Sequence, residues 1–229
     1  MNCPAHVKAF LKAIEHFRYE HHIYDVFRDW TELAAAELHQ APYHAGLPKD
    51  EAFERVEAEY LAVAKKYQRE DFDRFAELLA ITGMALSEGK QDFLGKCYMQ
   101  LDIGRKRAGQ FFTPYEVSLL IARVTVGDPL PLIAEQGYLT LHEPACGAGG
   151  MVIAVAQVVE DAKHDPTATL YFDAVDIDRQ CANMTYIQTG LLGLAGVVRH
   201  GDTLRMDMRS HRVTPAARLC ARHINHISV

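Results

Sequence analysis

Three carboxylates stand where a nucleotide-like ligand is commonly held: Glu143, Asp176 and Asp202. Each stands at the end of a short stretch that reads as a strand (139–142, 170–175 and 197–200). Behind Glu143 comes Pro-Ala-Cys-Gly-Ala-Gly-Gly, then an alanine- and valine-rich helix over Met151–Val159. A strand, a glycine-rich turn and a helix open a nucleotide-binding βαβ unit. The glycines admit a ligand close to the backbone, and the helix start offers unpaired N–H groups. Asp176 follows one βαβ repeat later, where an acid usually accepts from a ribose diol. Helix capping alone does not call for three acids in register along one sheet edge.

These residues need a scaffold, and the hydrophobic periodicity supplies one in two parts. Residues 1–103 read as a helical domain. Val7, Phe10, Leu11, Ile14 and Phe17 form one stripe; Tyr24, Phe27, Trp30, Leu33, Ala34 and Leu38 form a second, ended by Pro42. Asp50 caps a third helix, and two more run past Phe75 and Leu94. Residues 104–229 read as an α/β domain with about three parallel strands, Leu170–Val175 being the fully buried one. A helix over Gln180–Leu192 precedes the third strand, and Thr214–Ile227 adds one helix at most. The basic stretch Gly104–Gly109 reads as a linker, with phosphate contact as the competing reading. Thr113, Pro114 and Glu116 spell a helix start with a capping box, but Phe111 and Phe112 before it exceed what one hydrophobic staple needs. Two aromatics beside a helix start suit a ligand with a carboxylate and a stackable ring.

The totals narrow the possibilities. A chain of 229 residues at 49% hydrophobic can bury one large or two small cores, and no run of ~18 apolar residues is present to cross a membrane. Five scattered cysteines without a Cys-x-x-Cys pair argue for reduced thiols in the cytoplasm, and against a zinc knuckle. The histidines at 16, 21, 22, 39 and 44 match no metal-ligand spacing, and most fall on polar helix faces. A net charge of −6 argues against unaided DNA binding.

Read in order, GQFFTP, EPACGAGG, DID and GDTL resemble the cofactor half of adenine-N6 DNA methyltransferases, most closely the modification subunits of type I restriction–modification systems. The resemblance runs from about Asp92 to Leu204. It implies a partial Rossmann-like domain binding S-adenosylmethionine. Phe111, Phe112 and Thr113 would border its methionine part, with Glu143, Ala145 and Gly147 beneath. Asp176 would take the ribose hydroxyls, Ile177 would pack on the adenine, Asp202 would accept from the adenine amine, and Leu204 would lie alongside. Acids suit a ligand with an ammonium, a sulfonium and hydroxyl donors. Cys146 follows Ala145, not the proline of a cytosine-C5 nucleophile.

The family's Asn/Asp-Pro-Pro-aromatic motif occurs nowhere in this sequence, so no catalytic residue is assigned. The expectation is a cofactor-binding chain whose target-base half comes from a partner or was truncated from this chain. Such a partner (a restriction–modification subunit or a second copy) or the N-terminal helices would cover the open edge of strand one, which a buried-type strand cannot leave bare. DNA would be bound only with the partner. The competing expectation is a non-catalytic homologue that regulates or decoys a restriction–modification system. A third keeps only the fold, with glycines and caps serving structure.

Overall fold

A computed structural model describes residues 5–101 and 111–219. The basic linker and the boundary at 103/104 lie outside them. Helix α1 (Ala5–Glu15) buries Val7, Phe10 and Ile14, and a 3-10 turn (His16–Tyr19) carries Phe17 into the same core. Helix α2 (Ile23–His44) runs through Pro42 rather than ending before it. Proline removes one N–H bond, but Pro42 sits in the last turn, and the Ala45 N–H still reaches the Ala41 carbonyl at 3.0 Å. Helix α3 (Glu51–Ala64) starts as expected, the Asp50 carboxylate accepting from Phe53 N–H at 2.9 Å. Helices α4 (Arg69–Ser87) and α5 (Phe93–Gln100) complete the segment. The aromatics are its core: Trp30 packs edge-on to Phe10 at 5.2 Å and donates its indole N–H to the Phe75 carbonyl.

Helix α6 (Tyr115–Val126) begins with Pro114 at its N-cap and no side-chain cap bond, so the capping box read at Thr113–Glu116 does not form. Helix α7 (Leu130–Gln136) is an element the periodicity did not reveal. Strand β1 (Leu139–Glu143), helix α8 (Gly150–Asp161), a short helix α9 (Pro166–Thr169), β2 (Leu170–Asp176), α10 (Arg179–Leu191) and β3 (Ala195–Asp202) then alternate. The three strands are parallel, with β2 in the middle and buried at every residue but Asp173. A fourth strand, β4 (Asp207–Val213), adds antiparallel to β3, and α11 (Pro215–Leu219) follows. The sheet order is β1-β2-β3-β4. The sequence reading missed β4 because its residues are mostly polar; an edge strand with exposed residues carries little hydrophobic periodicity.

Among the described residues, no part of the helical segment joins the sheet. The segment packs instead on α10, and one hydrophobic core runs without a break from Val7 and Phe10 through Leu94 and Ile187 to Val198. Charge reinforces that junction. Glu32 of α2 and Glu59 of α3 both bind Arg179 of α10 and Arg212 of β4. The acid in the middle of this group ties three elements together.

Candidate functional site

The loops at the C-terminal ends of the parallel strands gather most of the residues singled out above. The end of β2 is the anchor. Asp176 is 8% exposed, and its two carboxylate oxygens accept from different loops: Gly147 N–H at 2.8 Å and Asp178 N–H at 2.8 Å. A second strap joins Cys146 N–H to the Val175 carbonyl at 2.9 Å. Burial pushes the Asp176 carboxyl above its ordinary pKa, helped by the neighbouring Asp178 and Glu143 charges, although the two N–H bonds oppose it. A carboxylate can accept about four hydrogen bonds, so these two leave capacity facing the loops.

Gly147 carries φ +55°, and a β-carbon there would lie 3.1 Å from the Phe112 ring; Gly149, at φ +96°, would press on Thr185. Both positions need glycine for conformation and for space. Phe112 is held in place by Tyr98, ring centroids 5.1 Å apart, and so forms a wall over Gly147. Phe111 is 70% exposed, and Thr113 is exposed. At the end of β1, Glu143 accepts from Ala145 N–H at 3.0 Å. At the end of β3, Asp202 accepts from Arg205 N–H at 3.1 Å, and Thr203 donates to the Pro144 carbonyl at 2.8 Å, tying this loop to the first. Ile177 and Leu204 project into solvent, Leu204 almost wholly.

The three acids are not level along the edge. Glu143 pairs with Ala174 and Asp176 with His200, so each acid lies two residues beyond the previous one. A step of two keeps all three on one face of the sheet, as a staircase. Register of this kind comes from strand pairing, which the sequence does not display.

Behind the glycine loop lies a polar network that sequence reasoning missed. Gln188 of α10 is fully buried. Its carbonyl accepts from Phe93 and Leu94 N–H at 2.8 and 3.0 Å, and its amide donates to Asp92 at 2.9 Å and the Ala148 carbonyl at 2.7 Å. Thr185, one turn earlier, donates to the Gly147 carbonyl at 2.9 Å. Asp92 had a signal, being a helix cap three residues before Gly95; Gln188 and Thr185 had none. Cys146 lies within this wall, 5% exposed, and burial pushes its thiol pKa far up, which suits packing and not nucleophilic attack. His39 departs from the polar-face expectation for the histidines. It is 1% exposed, without a hydrogen-bond partner, and burial lowers its pKa to about 3. Among the described residues, no group of His, Cys, Asp and Glu could hold a metal ion.

A mixed α/β sheet with three parallel strands, a glycine loop after β1 and an acid at the end of β2 defines a partial Rossmann-like methyltransferase fold. The family model for N-6 DNA methylases matches residues 90–217, more than half of the chain. The chain therefore belongs to the N-6 DNA methylase family and to the lineage of DNA adenine methyltransferases. Comparison with curated proteins and with solved structures gives no match. The match begins two residues before Asp92, so it takes in α5 and the Gln188 network along with the strand-end loops. Among the described residues, no helix is long and apolar enough to cross a membrane.

Proposed function

We propose that this chain binds S-adenosylmethionine in the strand-end loops and supplies the cofactor half of a DNA adenine-N6 methyltransferase related to type I modification subunits. The observation that carries the reading is the bracketing of Asp176 by Gly147 and Asp178. It fixes a buried acceptor beside a glycine loop that the Phe112 ring walls on one side. The donor set fits the ligand: acceptors for hydroxyls and an ammonium, an aromatic wall at Phe112, and apolar Ile177 and Leu204 free to close on a purine. Glu143, Ala145 and Gly147 form the floor, Phe111 and Thr113 the rim, and Asp202 the acceptor for the adenine amine. The cofactor supplies an electrophilic methyl group on sulfonium; the residues here orient it and hold it away from bulk water. Asp176→Ala is expected to weaken S-adenosylmethionine binding by about 1–3 kcal/mol, read by calorimetric titration. Unchanged affinity in that variant would remove Asp176 from the site. Wild-type binding should also fade on acidification at a higher pH than an exposed aspartate would give, because burial raises the Asp176 pKa.

Methyl transfer needs groups that localise the lone pair on the target amine, and the Asn/Asp-Pro-Pro-aromatic motif that does so in this family is not in the sequence. The chain alone is expected to transfer no methyl group to adenine in DNA. Methylated adenine formed in proportion to the pure chain, and lost in Asp176→Ala, would overturn this. The base-binding half would come from a partner at the outer edge of β1, the terminal strand of the sheet among the described residues. That partner would be a restriction–modification subunit or a second copy. Helix α7 packs against β1, and α6 and α7 expose Leu120, Ile121, Val124 and Leu132, apolar surface that such a partner would cover. DNA binding would then belong to the assembly, in the cytoplasm. A non-catalytic homologue that regulates or decoys a restriction–modification system is the second reading. The same missing motif favours it, and binding without transfer under every partner tested would select it.

A further inference from the structure

Helix α6 is apolar on two opposite faces. One face packs on α8, with Ser118 and Ala122 buried in the contact. The other carries Val117, Leu120, Ile121 and Val124, which are 43%, 62%, 42% and 77% exposed. Steps of three, one and three residues put these four on a single stripe. Apolar residues scattered over a surface need no explanation, but a continuous stripe of four along one helix marks a contact surface.

The stripe has a symmetry that limits what covers it. Read from either end, it runs valine, two residues, a leucine–isoleucine pair, two residues, valine. Take an antiparallel copy of the same helix, related by a twofold axis between residues 120 and 121. Val117 of each copy then meets Val124 of the other, and Leu120 meets Ile121. A twofold contact between identical chains requires such self-complementarity.

The flanking charges obey the same symmetry. Glu116 and Arg123 are both exposed and stand two turns apart along one edge of the stripe. The twofold axis brings Glu116 of each copy beside Arg123 of the other, which gives two ion pairs. A parallel pairing would set like charges against each other at both ends. Arg123 already holds Asp161 at 3.0 Å, but the two side chains are 58% and 46% exposed. Such a pair contributes little, and a guanidinium has donors enough for both acids.

We propose that α6 is a self-association surface whose occupant is a second copy of this chain, packed antiparallel, helix against helix. A helix of 12 residues is about 18 Å long. The contact is therefore small and the dimer reversible, with a dissociation constant on the order of micromolar. The inference names the occupant of a surface left open to a partner above, and it rests on α6 alone, independent of the cofactor reading.

The test is sedimentation of the full chain at concentrations from well below to well above that constant. The mass should rise from 25.7 kDa toward twice that value. Leu120→Glu and Val124→Glu should each weaken association by about tenfold or more. Both should stay folded, because the side chains replaced are exposed. Glu116→Lys and Arg123→Glu should each associate poorly alone, whereas an equimolar mixture of the two should recover the wild-type mass. In the mixed pair, opposite charges meet at both ends. A mass of 25.7 kDa at every concentration would overturn the proposal and leave the stripe to a different protein. A dimer indifferent to Leu120→Glu and Val124→Glu would overturn it too, by placing the contact elsewhere. Failure of the mixture to associate would overturn the antiparallel arrangement. Titration of the same samples with S-adenosylmethionine keeps the two readings apart. A monomer that binds the cofactor sinks only the dimer, and a dimer that does not bind it sinks only the cofactor site.

Discussion

Glu32→Ala is expected to destabilise the chain by about 3–5 kcal/mol in chemical denaturation, because it removes one partner of a largely buried ionic group. The Glu32 carboxylate accepts from Arg179 Nε at 2.9 Å, from Asn183 at 2.8 Å and from Arg212 at 2.6 Å. Its side chain and that of Arg212 are each 12% exposed. After the substitution Arg179 and Arg212 share only Glu59, and the Asn183 amide loses its acceptor. Burial alone would raise the Glu32 pKa, but the hydrogen bond from Arg179 and the charges of Arg212 and Arg179 outweigh it and bring it to about 2. The folded pKa thus lies below the ordinary 4.5, so this stabilisation is complete above about 4.5 and disappears as pH falls toward 2. Wild type should lose stability across that window more steeply than Glu32→Gln, which keeps the shape without the charge. A loss under about 1 kcal/mol in Glu32→Ala, or identical acid profiles, would show that the junction rests on apolar packing alone.

Gln188→Leu should have a comparable effect by a different route. Leucine fills the space, but three buried backbone groups lose their partner together, the Phe93 and Leu94 N–H and the Ala148 carbonyl, and one oxygen of Asp92 keeps only the Gly95 N–H. At roughly 1–3 kcal/mol for each orphaned group, with incomplete additivity, a total near 4 kcal/mol is expected. Asp92 is buried, and burial already raises its pKa against the bonds from Gln188 and Gly95. Without the amide it has every reason to take up a proton. Because Gln188 holds the Ala148 carbonyl, the glycine loop should loosen as well. Amide hydrogen exchange at Gly147–Gly150 should speed up in the variant even under conditions where it remains folded. Unaltered exchange in that loop would mean that Asp176 and Thr185 hold it without Gln188.

How much of this was legible in the sequence follows from the range of each interaction. Helix α1, the Asp50 cap and the three parallel strands rest on periodicity, capping chemistry and apolar runs, all of which act within a few residues. The strand-end acids and the glycine loop were legible for the same reason: a residue type at a fixed offset after a strand. Strand β4 was not, because Asp207–Val213 becomes a strand only by pairing with β3, and its polar residues state no preference of their own. Pro42 misled because the cost of a proline depends on where the helix ends, and here the last turn continues past it with Pro42 and Tyr43 buried. The staircase of Glu143, Asp176 and Asp202 was settled by strand register. Glu32 with Arg179 and Arg212, and Gln188 with Asp92, join residues far apart in the chain. A buried glutamine and an exposed one look alike in a sequence; only the folded chain surrounds the first with groups that have no water to bind.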